Sequence, residues 1–249
     1  MESKSFSLVD DIVQPPIDCL TTTINDIASN MPELKTYAKS LTNNSGKKLT
    51  LVTTSNLCEA FLVKPKIPLM FWLLRLVFAR RLRFFKINAL AKTINFLQQW
   101  LKSHMAEREA LMYFNQVIRY SNKTEIIIVK PHPRETFSQS LRLSNLLSQE
   151  GYDTIVIDQR FSSIPVEFFF NYLNFFKVIS CSSSSSLTAK LILEIDNSRI
   201  FPFIDSDLSR KYLRTSSAAA HKYQKLWLNL LNQAGVKRFS SLRLKDYES

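Results

Sequence analysis

The sequence predicts an α/β fold, a Rossmann-like parallel sheet with flanking helices. From Lys48 onward, short apolar runs rich in β-branched residues alternate with longer segments of helical pattern, as in a doubly wound sheet. The run Ile126–Val129 contains no polar residue, and such a continuous run indicates a strand buried on both faces. Hydrophobic side chains make up 45% of the 249 residues, so the chain can bury a sizeable core.

The first residues predict a strand that leads to two carboxylates. Phe6–Val9 is a short apolar run, and Asp10 and Asp11 follow it directly. Neighbouring side chains of a strand point to opposite faces, so only one of the two acids can face a given cleft. A helix N-cap or an exposed turn explains the pair equally well.

The other predicted elements follow in order along the chain. A helix opens at Pro15-Pro16, runs to about Ser40 and breaks near Met31-Pro32, and a turn follows at Asn43–Gly46. The predicted strands are Lys48–Thr54, Ile126–Val129, Thr154–Ile157, Lys177–Cys181 and Arg199–Phe203. The predicted helices are Ala106–Tyr120, Thr136–Gln149 with Gly151 beyond its end, one opened by Ser162–Glu167, one that begins over Leu187–Leu193, and Asp207–Ala234.

A histidine between two prolines follows the strand Ile126–Val129. Pro131 ends the strand, because it has no N–H group for the sheet and pushes Lys130 into an extended conformation. Pro133 repeats the restraint, so His132 lies on a stiff turn at the carboxyl end of a strand, where open α/β sheets bind ligands. Lys130, His132 and Arg134 offer three donors to an anion. The alternative is a histidine that is merely solvated.

A run of five serines, Ser182–Ser186, fills the predicted turn between the strand Lys177–Cys181 and the helix that follows. Serine is favoured at the N-cap, and free N–H groups at a helix start attract anions. The sequence therefore predicts a second anion-binding loop, at the same edge of the sheet as His132 and Glu167. A polar linker of low complexity is the alternative interpretation.

The composition limits the kind of site that this chain can form. It contains three glycines (Gly46, Gly151 and Gly235), whereas an average chain of this length contains about seventeen. No Gly-rich phosphate loop fits, so phosphate binding would depend on helix ends, hydroxyl groups and cations. Cys19, Cys58 and Cys181 form neither a disulfide framework nor a zinc motif, which favours a reducing cytoplasm, and we expect no signal peptide, metal site or cofactor.

The net charge of +12 is concentrated in one block. Between Phe61 and Met105 the chain has nine cations and no acid. Its apolar part, Pro68–Ala79, is too short to cross a bilayer, which takes about twenty residues. Arginines interleaved with Trp72 and several phenylalanines are typical of a segment at a membrane surface, but a core-packing helix hairpin with a basic face explains them equally well. No nucleic-acid-binding module is present in the sequence, and we expect no nucleic-acid partner.

Three motifs together resemble those of bacterial sialyltransferases, and most closely the α-2,8-polysialyltransferase family. They are the HP motif at Lys130–Arg134, a Pro-x-Glu element at Ile164–Glu167, and a serine motif at Ser182–Ser186 that continues through Lys190. Two weaker stretches, Leu51–Glu59 and Glu107–Tyr113, occur in the family's order. The resemblance covers roughly residues 48–60 and 106–203.

The resemblance implies a nucleotide-binding, C-terminal half of a GT-B glycosyltransferase. Its implied reaction is an inverting, metal-independent transfer of sialic acid from CMP-sialic acid to a glycan hydroxyl, in capsule or surface polysaccharide synthesis. His132 would contact the leaving CMP phosphate and is the candidate to protonate it, and Glu167 would bind the ribose. Asp10 would be the general base, with Asp11 as its alternate. The remaining substrate-binding candidates are Lys130, Pro133, Arg134, Ser182, Ser183 and Ser184.

The chain departs from the family pattern at its N-terminal end. The family's base motif is acid-acid-Gly, whereas Ile12 follows Asp10 and Asp11 here. The family also has a whole Rossmann-like domain ahead of that motif, and this chain starts nine residues before it. We therefore expect residues 1–47 to be a remnant of the acceptor-side domain. Residues 48–249 would form the nucleotide-sugar-binding domain, with an insertion at 61–105, and a missing N-terminal domain or partner chain would complete it.

Three hypotheses about function remain open. The first is a sialyltransferase-like enzyme in the cytoplasm, peripheral at the inner membrane face, with a nucleotide-sugar donor and a glycan acceptor as its partners. The second is a related protein that binds a nucleotide sugar without catalysis. The third is a basic protein that binds membranes or polyanions through residues 61–105.

Overall fold

The computed structural model of the chain describes residues 17–42, 46–55, 103, 106–135, 139–181, 183, 185–191, 194–205, 229–236 and 240–242. The helices are α1 (Ile17–Ser29), α2 (Pro32–Thr42), α3 (106–120), α4 (Gln139–Gln149), α5 (Val166–Phe169), α6 (Ser185–Leu191) and α7 (229–233). The strands are β1 (Leu49–Thr53), β2 (Ile126–Lys130), β3 (Asp153–Val156), β4 (Phe175–Cys181), β5 (Ile200–Asp205) and β6 (Ser240–Leu242). Short 3₁₀ turns lie at Gln159–Phe161 and Asn197–Arg199.

The strands form one sheet with the order β3-β2-β1-β4-β5-β6. Every pairing between described strands is parallel, so all carboxyl ends lie at one edge. The strand order reverses between β1 and β4, and in doubly wound folds ligands bind in the crevice at that switch point. The predicted Rossmann-like parallel sheet is confirmed.

Helices cover both faces of the sheet, as the apolar strands predict. One face, which we call face A, carries Leu51, Ile128 and Val178 and packs against α2, α5 and α6. The other, face B, carries Val52 and Ile127 and packs against α3 and α4. Because successive strand residues alternate between faces, both sets are buried, and strand β2 is buried along its whole length.

Helices α1 and α2 precede the sheet in the chain, and α2 packs on face A through Leu34 and Ala38. The ring of Tyr37 stacks on Phe161 with their centroids 4.4 Å apart. The Tyr37 hydroxyl accepts a hydrogen bond of 2.8 Å from the backbone N–H of Asp158. This part of the N-terminal segment therefore supports the loop that follows β3. Its assignment to a separate acceptor-side domain stays a prediction.

The amino edge of the sheet contains a buried ion pair. Lys177 and Glu125 are 2.6 Å apart, and their side chains are only 12% and 5% exposed. The hydroxyl of Thr50 donates a further bond of 2.6 Å to Glu125, and the Lys177 ammonium donates to the backbone carbonyl oxygen of Tyr120. These bonds compensate the cost of burying both charges.

Most predicted elements are confirmed. Strand β4 begins two residues before its predicted start and β5 ends two residues beyond its predicted end, and three further elements, α6, α5 and β6, also differ. Helix α6 begins at Ser185, two residues before the predicted start at Leu187. Helix α5 is only four residues long, and the short strand β6 was not predicted. None of the helices within the described part of the chain is long and apolar enough to cross a membrane. The described residues exclude Phe6–Val9 with Asp10 and Asp11, the turn at 43–45, Ser182 and Ser184, all of residues 61–105 except Ser103, and residues 206–228.

Candidate functional site

Three consecutive hydroxyl side chains, Thr53, Thr54 and Ser55, stand at the carboxyl end of β1, in the centre of the sheet. Each of the three side chains forms hydrogen bonds with a different loop or helix. Thr53 bonds to the serine loop, as we call residues Ser182–Ser186, Thr54 bonds to the loop of His132, and Ser55 bonds to helix α3. The end of β1 therefore connects the loops in which the sequence predicts the site.

The loop after β2 is a β-turn that fixes the ring of His132. The backbone N–H of Glu135 donates a bond of 3.0 Å to the carbonyl oxygen of His132. The backbone N–H of Arg134 donates a bond of 3.1 Å to His132 Nδ1. Since Nδ1 is an acceptor, the neutral ring has its proton on Nε2, which makes Nε2 the donor atom of this side chain. Pro133 and Arg134 are exposed on the turn, as expected for residues at the mouth of a site.

Lys130, the last residue of β2, is buried on face A with 4% of its surface exposed. Its ammonium donates bonds of 2.5 Å to the backbone carbonyl oxygen of Ser162 and 3.2 Å to that of Pro131. Burial lowers the pKa of Lys130 to about 8, while the charges of Glu167 and Glu135 act in the opposite direction. Lys130 is therefore a buried cation at the carboxyl edge of the sheet.

Glu135 anchors the base of the His132 turn. Its carboxylate accepts bonds from the backbone N–H of Ser140 at 2.9 Å and from the Ser140 hydroxyl at 2.7 Å. The hydroxyl of Thr54 donates a further bond of 3.2 Å to Glu135, and Thr54 accepts one of 3.0 Å from the backbone N–H of His132. Burial raises the pKa of Glu135, and these donated bonds oppose the rise. The turn is thus fastened to β1 and to the start of α4.

The serine loop divides into buried residues and one half-buried residue. Ser185 and Ser186 lie in the first turn of α6 and are buried. Ser186 forms a hydrogen bond with Ser180 of β4, and Ser185 forms one of 2.8 Å with Thr53. Ser183 is half-buried and accepts bonds from the hydroxyl of Ser185 at 2.9 Å and its backbone N–H at 3.3 Å. Ser183 is therefore less buried than Ser185 and Ser186.

Glu167, in the short helix α5, lies between Lys130 and helix α6. Its carboxylate accepts a bond of 2.9 Å from the hydroxyl of Thr188. Its charge also raises the pKa of Lys130, against the larger effect of burial. These contacts place Glu167 beside two elements of the site, the end of β2 and the helix that follows the serine loop.

A buried network behind the site holds the segment that leaves β1. The hydroxyl of Tyr113 accepts a bond of 2.7 Å from the backbone N–H of Ser55. The Ser55 hydroxyl donates one of 3.1 Å to Glu109, which is 1% exposed. Gln139 donates a bond of 2.6 Å to the carbonyl oxygen of Ser55. Burial, followed by the charges of Cys181 and Glu109, raises the pKa of Tyr113 well above its usual value, so this hydroxyl stays protonated.

The structure brings several predicted site residues to one edge of the sheet. Lys130 and His132 are bonded to the end of β1, Ser183 is bonded to Ser185, which contacts β1, and Glu167 is bonded to helix α6, which begins at Ser185. Asp10, Asp11, Ser182 and Ser184 lie outside the described residues, and their roles stay predictions.

Sequence reasoning assigned no supporting role to five residues of the site, although Thr53, Thr54 and Ser185 lie in stretches that it named. The five residues are Thr53, Thr54, Glu135, Ser140 and Ser185. A run of hydroxyl residues directly after a buried strand is the signal that points to the first two. Among the described residues, no group of three or more His, Cys, Asp or Glu side chains is placed to hold a metal ion.

Comparison with known proteins identifies one family. Residues 83–198 match the family described as alpha-2,8-polysialyltransferase (POLYST). That segment includes the His132 turn, Glu167 and the serine loop. No curated protein and no solved structure matches the chain.

Proposed function

We propose, because residues 83–198 of this chain match the alpha-2,8-polysialyltransferase family, that the protein is a sialyltransferase-type glycosyltransferase. Its donor would be CMP-sialic acid and its acceptor a hydroxyl group of a surface or capsule glycan. The observation that carries the proposal is that the His132 turn and the serine loop are bonded to adjacent residues, Thr54 and Thr53, at the switch point of the sheet.

The proposed reaction places its largest change of charge at the CMP phosphate. The acceptor oxygen attacks the anomeric carbon of sialic acid, and the bond from that carbon to the phosphate oxygen breaks. The electron pair leaves with CMP, so negative charge develops where donors must stabilise it. We assign this role to His132 Nε2–H, the Ser183 hydroxyl and the Lys130 ammonium, with the exposed guanidinium of Arg134 as a further donor on the same turn. The inverting, metal-independent course is part of the proposal.

The acceptor hydroxyl must lose a proton as it attacks, and we assign this role to Asp10, with Asp11 as its alternate. With Nδ1 as an acceptor, the neutral ring of His132 would donate a hydrogen bond from Nε2–H to the leaving phosphate oxygen. CMP leaves as the phosphate anion and the proton taken up by Asp10 passes to solvent, which balances the transfer. Protonation of the phosphate by His132 would require the imidazolium form of the ring. Glu167 would accept hydrogen bonds from the ribose hydroxyls, since a carboxylate is an acceptor only. Location at the cytoplasmic face of the inner membrane also belongs to this proposal.

Titration calorimetry with CMP tests the nucleotide site directly. The unmodified chain is expected to bind CMP more tightly than UMP or GMP, and His132→Ala is expected to lose that binding. Lys123→Ala is the matched control, because Lys123 precedes β2 at the opposite edge of the sheet. A chain that binds none of the three nucleotides would overturn the proposal.

Catalysis requires a second measurement. Release of CMP from CMP-sialic acid in the presence of a sialylated oligosaccharide would show transfer, and Asp10→Asn is expected to abolish it without loss of CMP binding. CMP binding without any release would favour a nucleotide-sugar-binding protein that lacks catalysis.

A further inference from the structure

We propose that Thr53 and Thr54 are positioning residues that set the direction in which Ser183 and His132 offer their protons to the donor phosphate. The inference rests on the proposed function and deepens it, because it names what orients the two phosphate donors. Both threonines lie at the end of β1, and neither is expected to touch the substrate.

The number of hydroxyl protons fixes the direction of the hydrogen bond between Thr53 and Ser185. A serine or threonine hydroxyl has a single proton to donate. Ser185 uses its proton in the bond of 2.9 Å to Ser183. The bond of 2.8 Å between Thr53 and Ser185 must therefore be donated by Thr53. The three hydroxyls form a relay in which protons point from Thr53 to Ser185 and from Ser185 to Ser183.

The relay determines which hydrogen bonds the hydroxyl of Ser183 can still form. Ser183 Oγ accepts bonds from both the hydroxyl and the backbone N–H of Ser185, so its lone pairs are occupied. Its own proton then remains for a group outside the relay, and a phosphate oxygen is such a group. Thr53 is 5% exposed and Ser185 is 1% exposed, so water does not compete and each bond strengthens the next.

Thr54 acts in a parallel way on His132. Its oxygen accepts from the backbone N–H of His132 at 3.0 Å, which fixes the position of the turn. Its proton points toward acceptors on the far side, Glu135 at 3.2 Å and the carbonyl oxygen of Lys130 at 3.3 Å. With Nδ1 held by Arg134, the ring presents Nε2–H as its donor.

The alternation of a strand explains why two adjacent residues can serve two loops. Neighbouring side chains point to opposite faces, so Thr53 meets helix α6 on face A and Thr54 meets the start of α4 on face B. The end of β1 thus orients Ser183 through Thr53 on one face of the sheet and His132 through Thr54 on the other face.

Isosteric replacement tests this inference. Thr53→Val and Thr54→Val keep the shape of the side chain and remove its proton and its acceptor oxygen. We expect each to weaken CMP binding about threefold to tenfold, the usual effect of losing one hydrogen bond between neutral groups. Cytidine lacks the phosphate, so its affinity is expected to stay unchanged. Thr53→Ser and Thr54→Ser keep the hydroxyl and are expected to restore most of the CMP affinity.

The matched control is Thr36→Val, which removes a threonine hydroxyl on the exposed side of α2. It is expected to change neither affinity. Circular dichroism reports whether each variant folds. If a valine variant does not fold, Ser185→Ala or Thr54→Ala replaces it, and the same loss that is specific for CMP is expected.

The possible results separate the inference from the proposed function. An unmodified chain that binds CMP, with valine variants that bind it equally well, would overturn the positioning role alone. Equal losses for CMP and cytidine would also overturn it, because they indicate a general structural effect. No CMP binding by the unmodified chain would remove both the function and the inference.

Discussion

The buried ammonium of Lys130 donates a hydrogen bond of 2.5 Å to the backbone carbonyl oxygen of Ser162. This contact joins the loop after β2 to the loop after β3, and it holds a cation at the edge of the sheet where the site lies. An ammonium has three protons, and Pro131 takes a second one. Within the described part of the chain no third acceptor is bonded to this ammonium, and we expect the remaining proton to serve an anion.

Lys130 gives nucleotide binding a defined dependence on pH. Burial lowers its pKa to about 8, and a phosphate bound nearby would raise that value again. Binding near pH 8 is therefore expected to take up about half a proton per CMP, and affinity is expected to fall as pH rises above 8. Calorimetry in buffers with different ionisation enthalpies measures the uptake. Lys130→Met should abolish it, and a binding enthalpy that is independent of the buffer would contradict the prediction.

Glu167 is expected to determine the preference for ribose over deoxyribose. Replacing it by Gln removes the negative charge, which is the strong acceptor for the ribose hydroxyls. We expect Glu167→Gln to reduce the preference for CMP over 2′-deoxy-CMP by about tenfold, the usual value of a hydrogen bond to a charged group. Competition titration measures the ratio, and Glu150→Gln, an exposed acid after α4, is the control. An unchanged ratio would remove Glu167 from the ribose site.

The buried pair of Lys177 and Glu125 should be far more important for stability than a surface pair. Lys177→Met leaves the Glu125 carboxylate buried with Thr50 as its remaining described partner, and it is expected to lower the free energy of unfolding by about 3–5 kcal/mol. Urea denaturation measures the loss.

The exposed pair of Lys47 and Asp153, 3.3 Å apart, is the matched control for this experiment. Lys47→Met is expected to cost less than about 1 kcal/mol. The double variant with Lys177→Met and Glu125→Leu should be less destabilised than Lys177→Met alone. Equal losses for Lys177→Met and Lys47→Met would show that the buried pair has no special role.

Tyr113→Phe removes the hydroxyl that accepts from the backbone N–H of Ser55. The N–H group then loses its partner in a half-buried position, which is expected to lower the free energy of unfolding by about 1–3 kcal/mol. Urea denaturation again provides the measurement. Tyr120→Phe keeps the stacking of that ring on Phe201 and is expected to have little effect. A stable Tyr113→Phe variant would mean that the Ser55 network contributes nothing to the fold.

Local sequence patterns predicted the sheet and the His132 turn because their causes are local. The strand β2 is a run of β-branched residues, and Pro131 and Pro133 limit the backbone around His132 wherever they occur. The partners of Thr53 and Thr54 depend on strand order and register instead. Thr53 and Ser185 are separated by 132 positions, and no local pattern connects them.

The differences at α6, α5 and β6 have similar causes. Serine is favoured both in turns and at helix starts, so Ser185 and Ser186 gave no unique start for α6. In the structure Ser185 is bonded to Thr53 and Ser186 to Ser180, and helix α6 begins at Ser185, before the first apolar residue of the helix. The sequence around Pro165 and Glu167 indicated where helix α5 begins, but it did not indicate how long the helix is. Strand β6, Ser240–Leu242, has no apolar run and exists through its pairing with β5.

The hydrogen bond of 3.1 Å from Ser55 to Glu109 also has a consequence for how this protein can diverge or be re-engineered. Ser55 and Glu109 flank residues 56–105, so the two ends of that segment are anchored at residues that are in contact with each other. Doubling the length of a closed loop costs only about 0.6 kcal/mol. The length of the chain between these two anchor points is therefore expected to have only a small effect on the free energy of unfolding of the sheet.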